Sequence, residues 1–243
     1  MERATFRAAV EGIAALDHPV SDSVYRFVRD HDGWVGRDET AATLELARSV
    51  AAFHLDKLVD AGLLEAGFER MSGRSGPGAG RPAKRYRPSP NTVALSIPER
   101  RYDLAGSLLA EAVAGAAYDK RDVRDALSQS ARARGREVGE DRSSGSAPRR
   151  KSRPDREQAL VELLEVQGYA PVRAGDTIAL RNCPFHALAN EQRELVCGMN
   201  REFLAGVIDG LGDDDAFDAR LDPQSGYCCV RVEPRARPAT KAR

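Results

Sequence analysis

The chain of 243 residues carries 37 basic and 37 acidic side chains, so its formal net charge is zero and no overall field attracts nucleic acid. Hydrophobic residues make up 42% of the sequence, which is enough for packed cores, yet no uncharged run approaches the 18 or so residues that cross a bilayer. The charged N-terminus lacks the apolar stretch of a secretory signal. We therefore expect a cytoplasmic protein without a membrane partner, whose cysteines serve thiol or metal chemistry rather than disulfides.

The first ninety residues predict helices followed by a hairpin. Apolar residues at helical spacing predict four helices, and Gly62 is suited to end the fourth. Two strands follow, "LLEAGFER" and "AKRYRPS", separated by the glycine-rich "MSGRSGPGAGRP". Two helices joined by a tight turn and followed by a hairpin are the components of a winged helix-turn-helix.

The remainder of the chain predicts a long helical region, a polar linker, and then helices alternating with short strands. The predicted fold class is α+β, with a C-terminal α/β domain that has a small antiparallel sheet. The predicted segments are the winged helix-turn-helix (1–90), a helical connector (91–140), a flexible linker (141–154), a cysteine-containing domain (155–233) and a disordered tail (234–243).

An apolar stripe on the predicted connector makes it the candidate for dimerisation. It consists of Leu104, Leu108, Ala112 and Val113 at helical spacing. The alternative is a helix that packs within its own chain.

The outward side of the fourth predicted helix carries candidate DNA contacts: Arg48, Ser49, Ala52, Phe53 and Lys57. The guanidinium group of arginine can form two hydrogen bonds with the major-groove edge of guanine, while serine and lysine can bind phosphates. The alternative for Arg48 or Lys57 is an ordinary solvated charge.

A basic segment from Arg70 to Arg87 contains six positive residues and no acid. Arg81 lies between a glycine and a proline, and an extended segment of this kind is narrow enough to enter the minor groove of DNA. The candidate DNA contacts here are Arg74, Arg81, Lys84 and Arg85, of which the last two are expected to reach phosphates from a strand. A flexible linker with solubilising charge is the alternative.

The run "ETAATLELARSVAAFHLDKLVDAGLLE", followed by "GPGAGRPAKRYRPS", resembles the winged-helix bacterial transcription regulators of the ArsR-like superfamily. The resemblance implies a homodimer that binds a near-palindromic double-stranded DNA operator.

All four cysteines, Cys183, Cys197, Cys228 and Cys229, fall in the last quarter of the chain. Their spacing matches no common zinc or ferredoxin loop, so buried inert thiols and a metal site remain equal alternatives on spacing alone. Thiolates with an apolar surround favour a soft metal site, either iron–sulfur or zinc. If "GYCCVRV" is a strand, Cys228 and Cys229 point to opposite faces, and only one of them joins the other cysteines.

The run "NCPFHALANEQRELVCGMNREFLAGVI", with a late "GYCCV", resembles the C-terminal sensor domain of SufR-type iron–sulfur-responsive regulators. The resemblance implies that Cys183, Cys197 and Cys228 hold an iron–sulfur cluster, commonly [4Fe–4S]. It leaves the fourth ligand open among His186, a carboxylate, Cys229 and a small molecule. It further implies a repressor of genes for iron–sulfur cluster assembly.

Two other functions compete with this hypothesis. The first is a winged-helix regulator with the same domain architecture that senses a small hydrophobic effector and binds no metal. A thiol or metal enzyme tethered to DNA is less favoured, because the sequence shows no phosphate loop, nucleotide fingerprint or nucleophile–base pair. We therefore expect no enzymatic activity.

Overall fold

A computed structural model describes residues 3–69, 83–143 and 152–235. The chain divides after Leu95 into an N-terminal unit and a C-terminal unit, each with its own hydrophobic core. The N-terminal unit extends past residue 90 because Val93 lies against Gly12 of its first helix. No helix within the described ranges is long and apolar enough to span a membrane.

The N-terminal unit consists of four helices and a small sheet in its described residues. These elements are α1 (Arg3–Ala15), α2 (Pro19–Arg29), β1 (Val35–Gly36), α3 (Arg37–Thr43), α4 (Arg48–Asp60), β2 (Leu64–Glu69) and β3 (Ala83–Pro88). Helix α2 begins at a proline, and the side chain of His18 accepts a hydrogen bond from the backbone N–H of Val20 at 3.2 Å. After α4, Gly62 has a φ of +74° and turns the chain toward β2.

The sheet of the N-terminal unit is antiparallel, in the order β1-β3-β2. Strands β2 and β3 pair from Leu64 with Pro88 to Glu69 with Ala83. The core between helices and sheet includes Val24, Val28, Leu55, Leu58 and Tyr86, all at most 1% exposed. The hairpin is thus anchored by apolar packing to the same core as α2 and α4.

In its described residues, the C-terminal unit is mainly helical, with one four-stranded antiparallel sheet in the order β4-β5-β7-β6. Its elements are α5 (Tyr102–Asp119), α6 (Val123–Ser143), α7 (Arg153–Val166), β4 (Pro171–Ala174), β5 (Thr177–Leu180), α8 (His186–Glu191), α9 (Arg193–Leu211), β6 (Phe217–Leu221) and β7 (Val230–Pro234). The two small antiparallel sheets and the helices confirm the α+β class.

Helices α6 and α9 pack with their backbones in direct contact. A Cβ atom added at Gly135 would overlap the carbonyl oxygen of Phe203, and one added at Gly206 would overlap that of Arg132. Gly139 and Gly210 face the opposite backbone in the same way. Only glycine allows helices to approach this closely, so the alignment of α9 depends on these four positions.

Three predictions for the middle and end of the chain need correction. Leu104, Leu108 and Ala112 are buried in the core of the C-terminal unit, so these three residues of the stripe pack within the chain and are unavailable to a second copy, whereas Val113 is exposed. Helix α6 continues to Ser143 and α7 begins at Arg153, so both ends of the predicted linker are helical, and residues 144–151 lie outside the described ranges. Strand β7 begins at Val230, after both cysteines of the doublet.

Candidate functional sites

Three separate segments of the C-terminal unit bring the four cysteines together. Cys183 lies in the loop between β5 and α8, Cys197 lies in α9, and Cys228 and Cys229 lie in the loop that precedes β7. Hydrogen bonds join Cys183 with Cys228 and Cys197 with Cys229. All four are free cysteines, so the structure assembles two thiol pairs.

A cavity of about 450 Å³ opens beside these pairs and is lined by Cys183, Cys228 and Cys229. His186 and Arg193 also line it. Within the described residues, no three His, Cys, Asp or Glu side chains surround one point closely enough to hold a single metal ion. A multi-iron cluster binds its ligands through different irons and does not need them around one point.

The thiols of Cys183, Cys197 and Cys228 differ in how readily they ionise. The hydrogen bond from Cys228 lowers the pKa of Cys183 to about 7 against the effect of burial, with help from the backbone N–H of Phe185 and the charge of Arg100. Burial raises the pKa of Cys197 to about 12, and the hydrogen bond with Cys229 adds to the rise. The pKa of Cys228 is also raised, first by its hydrogen bond to Cys183 and then by burial. Among these three, Cys183 is therefore the thiol that most easily becomes the thiolate required for metal binding.

A buried polar network fixes the side chain of Cys228. The amide of Asn200 donates a hydrogen bond to Cys228 Sγ at 3.2 Å, and the Tyr169 hydroxyl donates to Asn200 Oδ1 at 2.5 Å. Asn200 and Tyr169 are each 1% exposed. Neither was among the predicted site residues, although Asn200 stands three positions after Cys197 on α9 and so lies on the same side of the helix.

The loop around Cys183 is bonded to the segment that begins the C-terminal unit. The amide of Asn182 donates to the carbonyl of Glu99 at 2.9 Å, and Arg100 Nη1 donates to Asn182 Oδ1 at 2.5 Å and to the Cys183 carbonyl at 3.3 Å. The backbone N–H of Arg101 donates to the carbonyl of Pro184 at 3.0 Å. Residues 99–101, which follow closely on the N-terminal unit, are thus tied to a predicted ligand loop.

In the N-terminal unit, α4 exposes the side predicted to contact DNA. Arg48, Ser49 and Phe53 are exposed, Phe53 by 64%, and Ala52 and Lys57 are half-buried. The guanidinium of Arg48 donates to Asp38 of α3 at 3.1 Å, and both side chains are exposed. The opposite side of α4 packs into the core.

The predicted contacts on β3 form ion pairs within the unit. Lys84 Nζ lies 2.6 Å from Asp56 Oδ1, which also accepts a hydrogen bond from the Tyr86 hydroxyl at 2.8 Å. Arg85 lies 3.5 Å from Glu39 and 3.4 Å from Glu69, and its side chain is 18% exposed. The prediction for these two residues overlooked their acidic partners, which lie far away in the sequence. Arg74 and Arg81 lie outside the described residues.

Comparison with protein-family models, with curated proteins and with solved structures found no match to this chain.

Proposed function

We propose that the chain is a homodimeric DNA-binding transcriptional regulator whose affinity for its operator is controlled by an iron–sulfur cluster in the C-terminal unit. The observation that carries this proposal is the convergence of four cysteines from three chain segments: Cys183, Cys228 and Cys229 line one cavity, and Cys197 is paired with Cys229 behind it. Structural thiols would not need to gather in this way, and thiolates in an apolar surround suit a soft metal. Repression of genes for iron–sulfur cluster assembly belongs to the same proposal.

The order of elements in the N-terminal unit supports the DNA-binding part. Helix α3, a turn through Glu45 with a φ of +52°, helix α4 and the β2–β3 hairpin follow one another as in a winged helix-turn-helix. The exposed first turns of α4 present Arg48, Ser49 and Phe53. Arg48 can hydrogen-bond to a base edge, Ser49 can bind a phosphate, and Phe53 can contact a thymine methyl group. The unit as a whole needs no excess of positive charge if these contacts are local.

Cys183, Cys197 and Cys228 would hold the cluster, which, when bound, supplies iron–thiolate bonds that respond to iron supply and oxidation. The chain itself positions the ligands. Asn200 orients Cys228, and the charge of Arg100 favours the thiolate of Cys183. Because residues 99–101 are hydrogen-bonded to residues 182–184, a change in the Cys183 loop acts directly on the segment that follows the N-terminal unit.

Helix α5 offers a surface for the second copy. Its inner side is buried in the core, whereas Val113 and Tyr118 are 60% and 86% exposed. A second copy that covers these two exposed apolar side chains removes them from water.

The proposal is tested by purifying the full-length chain without air, measuring bound iron and sulfide, and selecting ligands from a random double-stranded DNA library. We expect a brown protein and enrichment of near-palindromic sequences, with at least fivefold different affinity between the cluster-loaded and cluster-free forms. Arg48→Ala should weaken binding of the selected DNA about tenfold. The matched control is Arg29→Ala, since Arg29 is also exposed and paired with a carboxylate, that of Asp30.

A colourless, iron-free protein that binds the selected DNA with full affinity would contradict the cluster and leave the regulator that senses a small effector. Failure to enrich any DNA sequence would contradict the regulatory function as a whole.

A further inference from the structure

The doublet Cys228–Cys229 lies between the other two cysteines: both of its residues line the cavity together with Cys183, and Cys229 is also paired with Cys197. We propose that Cys229 is the fourth protein ligand of the iron–sulfur cluster, so that the cluster is held by four thiolates. This inference rests on the proposed function, since it concerns the ligand set of the same site.

The backbone around the doublet explains how two adjacent residues reach one site. Cys228 and Cys229 precede β7, so the alternation of a strand does not apply to them. The N–H of Cys228 donates to the carbonyl of Leu180 at 2.8 Å, and the carbonyl of Cys229 accepts from the N–H of Asp222 at 2.8 Å. The doublet is thereby held between the end of β5 and the loop after β6, with both thiols beside a cysteine of another segment. The expectation that Cys229 packs away from the site is therefore wrong.

The other candidates for the fourth ligand fit less well. No carboxylate is among the described residues that line the cavity. His186 lines it, but its side chain is exposed and its Nε2 lies 3.2 Å from the amide of Asn190. Cys229 is half-buried, lines the cavity beside Cys183 and Cys228, and is hydrogen-bonded to Cys197. A thiolate is also the softer ligand and matches the other three in chemistry.

Positive groups near the cavity can balance four thiolates. Arg193 lines the cavity and is the first residue of α9, a helix of 19 residues, so its charge adds to the positive end of the helix dipole. Arg100 acts on Cys183 from the other side of the loop. Thiols that hold iron would be deprotonated, and Arg193 and Arg100 would stabilise the resulting anions.

The test compares wild type, Cys229→Ala, Cys229→Ser and His186→Ala after anaerobic reconstitution of the full-length chain with ferrous iron and sulfide. Native mass spectrometry counts the iron and sulfide bound. Ferricyanide then removes one electron from the cluster, and an iron that lacks a thiolate leaves as ferrous ion, which produces the electron paramagnetic resonance signal of a [3Fe–4S] cluster. We expect this signal in both Cys229 variants, together with loss of the visible absorbance in air about tenfold faster than in wild type.

Wild type and His186→Ala are expected to keep four irons under the same oxidation. If instead the Cys229 variants behave as wild type and His186→Ala loses iron, the fourth ligand is His186 and the inference is overturned. A wild-type protein that takes up neither iron nor sulfide would overturn the proposed function itself. Far-UV circular dichroism of each variant verifies folding, and Cys229→Ser preserves the side-chain volume should the alanine variant fail to fold.

Discussion

The two units present their candidate residues in opposite ways. In the N-terminal unit, the candidate side chains Arg48, Ser49 and Phe53 project from an exposed helix face, and the core beneath does not depend on them. In the C-terminal unit, Cys197 and Cys228 belong to the hydrophobic core itself, and Asn200 and Tyr169 complete a polar network inside it. The exposed face of α4 can be substituted without loss of the fold. The buried cysteine site contributes to the core, so substitutions there also affect folding.

The largest effect is expected where the site helix α9 meets α6. In Gly135→Ala, the added Cβ overlaps the backbone of Phe203, so the helices must separate. We expect the free energy of unfolding of the C-terminal unit to fall by about 3 kcal/mol or more, because a packed backbone contact has no side chain to rearrange. Urea denaturation followed by far-UV circular dichroism measures this change.

Two controls isolate the effect of Gly135→Ala. The only tryptophan, Trp34, lies in the N-terminal unit, where the Arg87 guanidinium stacks on its ring at 4.5 Å, and its fluorescence midpoint should not move. Gly106→Ala on α5 has nothing within 4 Å of the new Cβ and should stabilise the unit by about 0.5–1 kcal/mol. A wild-type midpoint for Gly135→Ala would contradict the close packing of α6 and α9.

An intermediate effect is expected at Asn182, which joins the Cys183 loop to residues 99–101. Asn182→Ala removes two hydrogen bonds that the side-chain amide donates to the backbone carbonyls of Glu99 and Gly168. It also removes the hydrogen bond that the amide oxygen accepts from Arg100. We expect a loss of about 1–3 kcal/mol in the stability of the C-terminal unit, because carbonyl groups lose their partners. Under the proposed function, the affinities of the cluster-loaded and cluster-free forms for DNA should also converge. Arg181→Ala, at the exposed neighbouring residue, should change neither quantity.

Local signals in the sequence predicted most of the N-terminal unit. The apolar spacing of α4 and the glycine at 62 depend only on nearby residues, and the apolar residues of α4 opposite its outward side, Ala51, Leu55 and Leu58, are buried. The ion pairs of Lys84 and Arg85 could not be predicted in this way, because their partners Asp56 and Glu39 come from other elements.

The C-terminal site depended on tertiary contacts that no local pattern reveals. The resemblance placed Cys183, Cys197 and Cys228 in one site, and the structure brings their segments together. The position of Cys229 was missed because the strand was expected to begin before the doublet, whereas β7 begins at Val230. Most of the α5 stripe was wrongly assigned to dimerisation, since an apolar helix face does not specify which surface will cover it.

The smallest effect is expected from a buried histidine in the N-terminal unit. His54 Nδ1 lies 2.9 Å from Ser21 Oγ, and burial lowers the pKa of His54, assisted by the positive charges of His18 and Lys57. The unfolded chain, with a histidine pKa of about 6.5, therefore takes up a proton at a higher pH than the folded unit. Stability should fall as the pH drops through 6.5 toward the lower pKa of the folded state, and should be independent of this group above pH 7.

Trp34 fluorescence in urea at pH 7.5 and at pH 5.5 measures the difference in stability for this unit alone. His54→Asn, which keeps a polar group beside Ser21 but does not titrate, should reduce the difference, and an unchanged difference would show that the acid sensitivity of the unit comes from other groups.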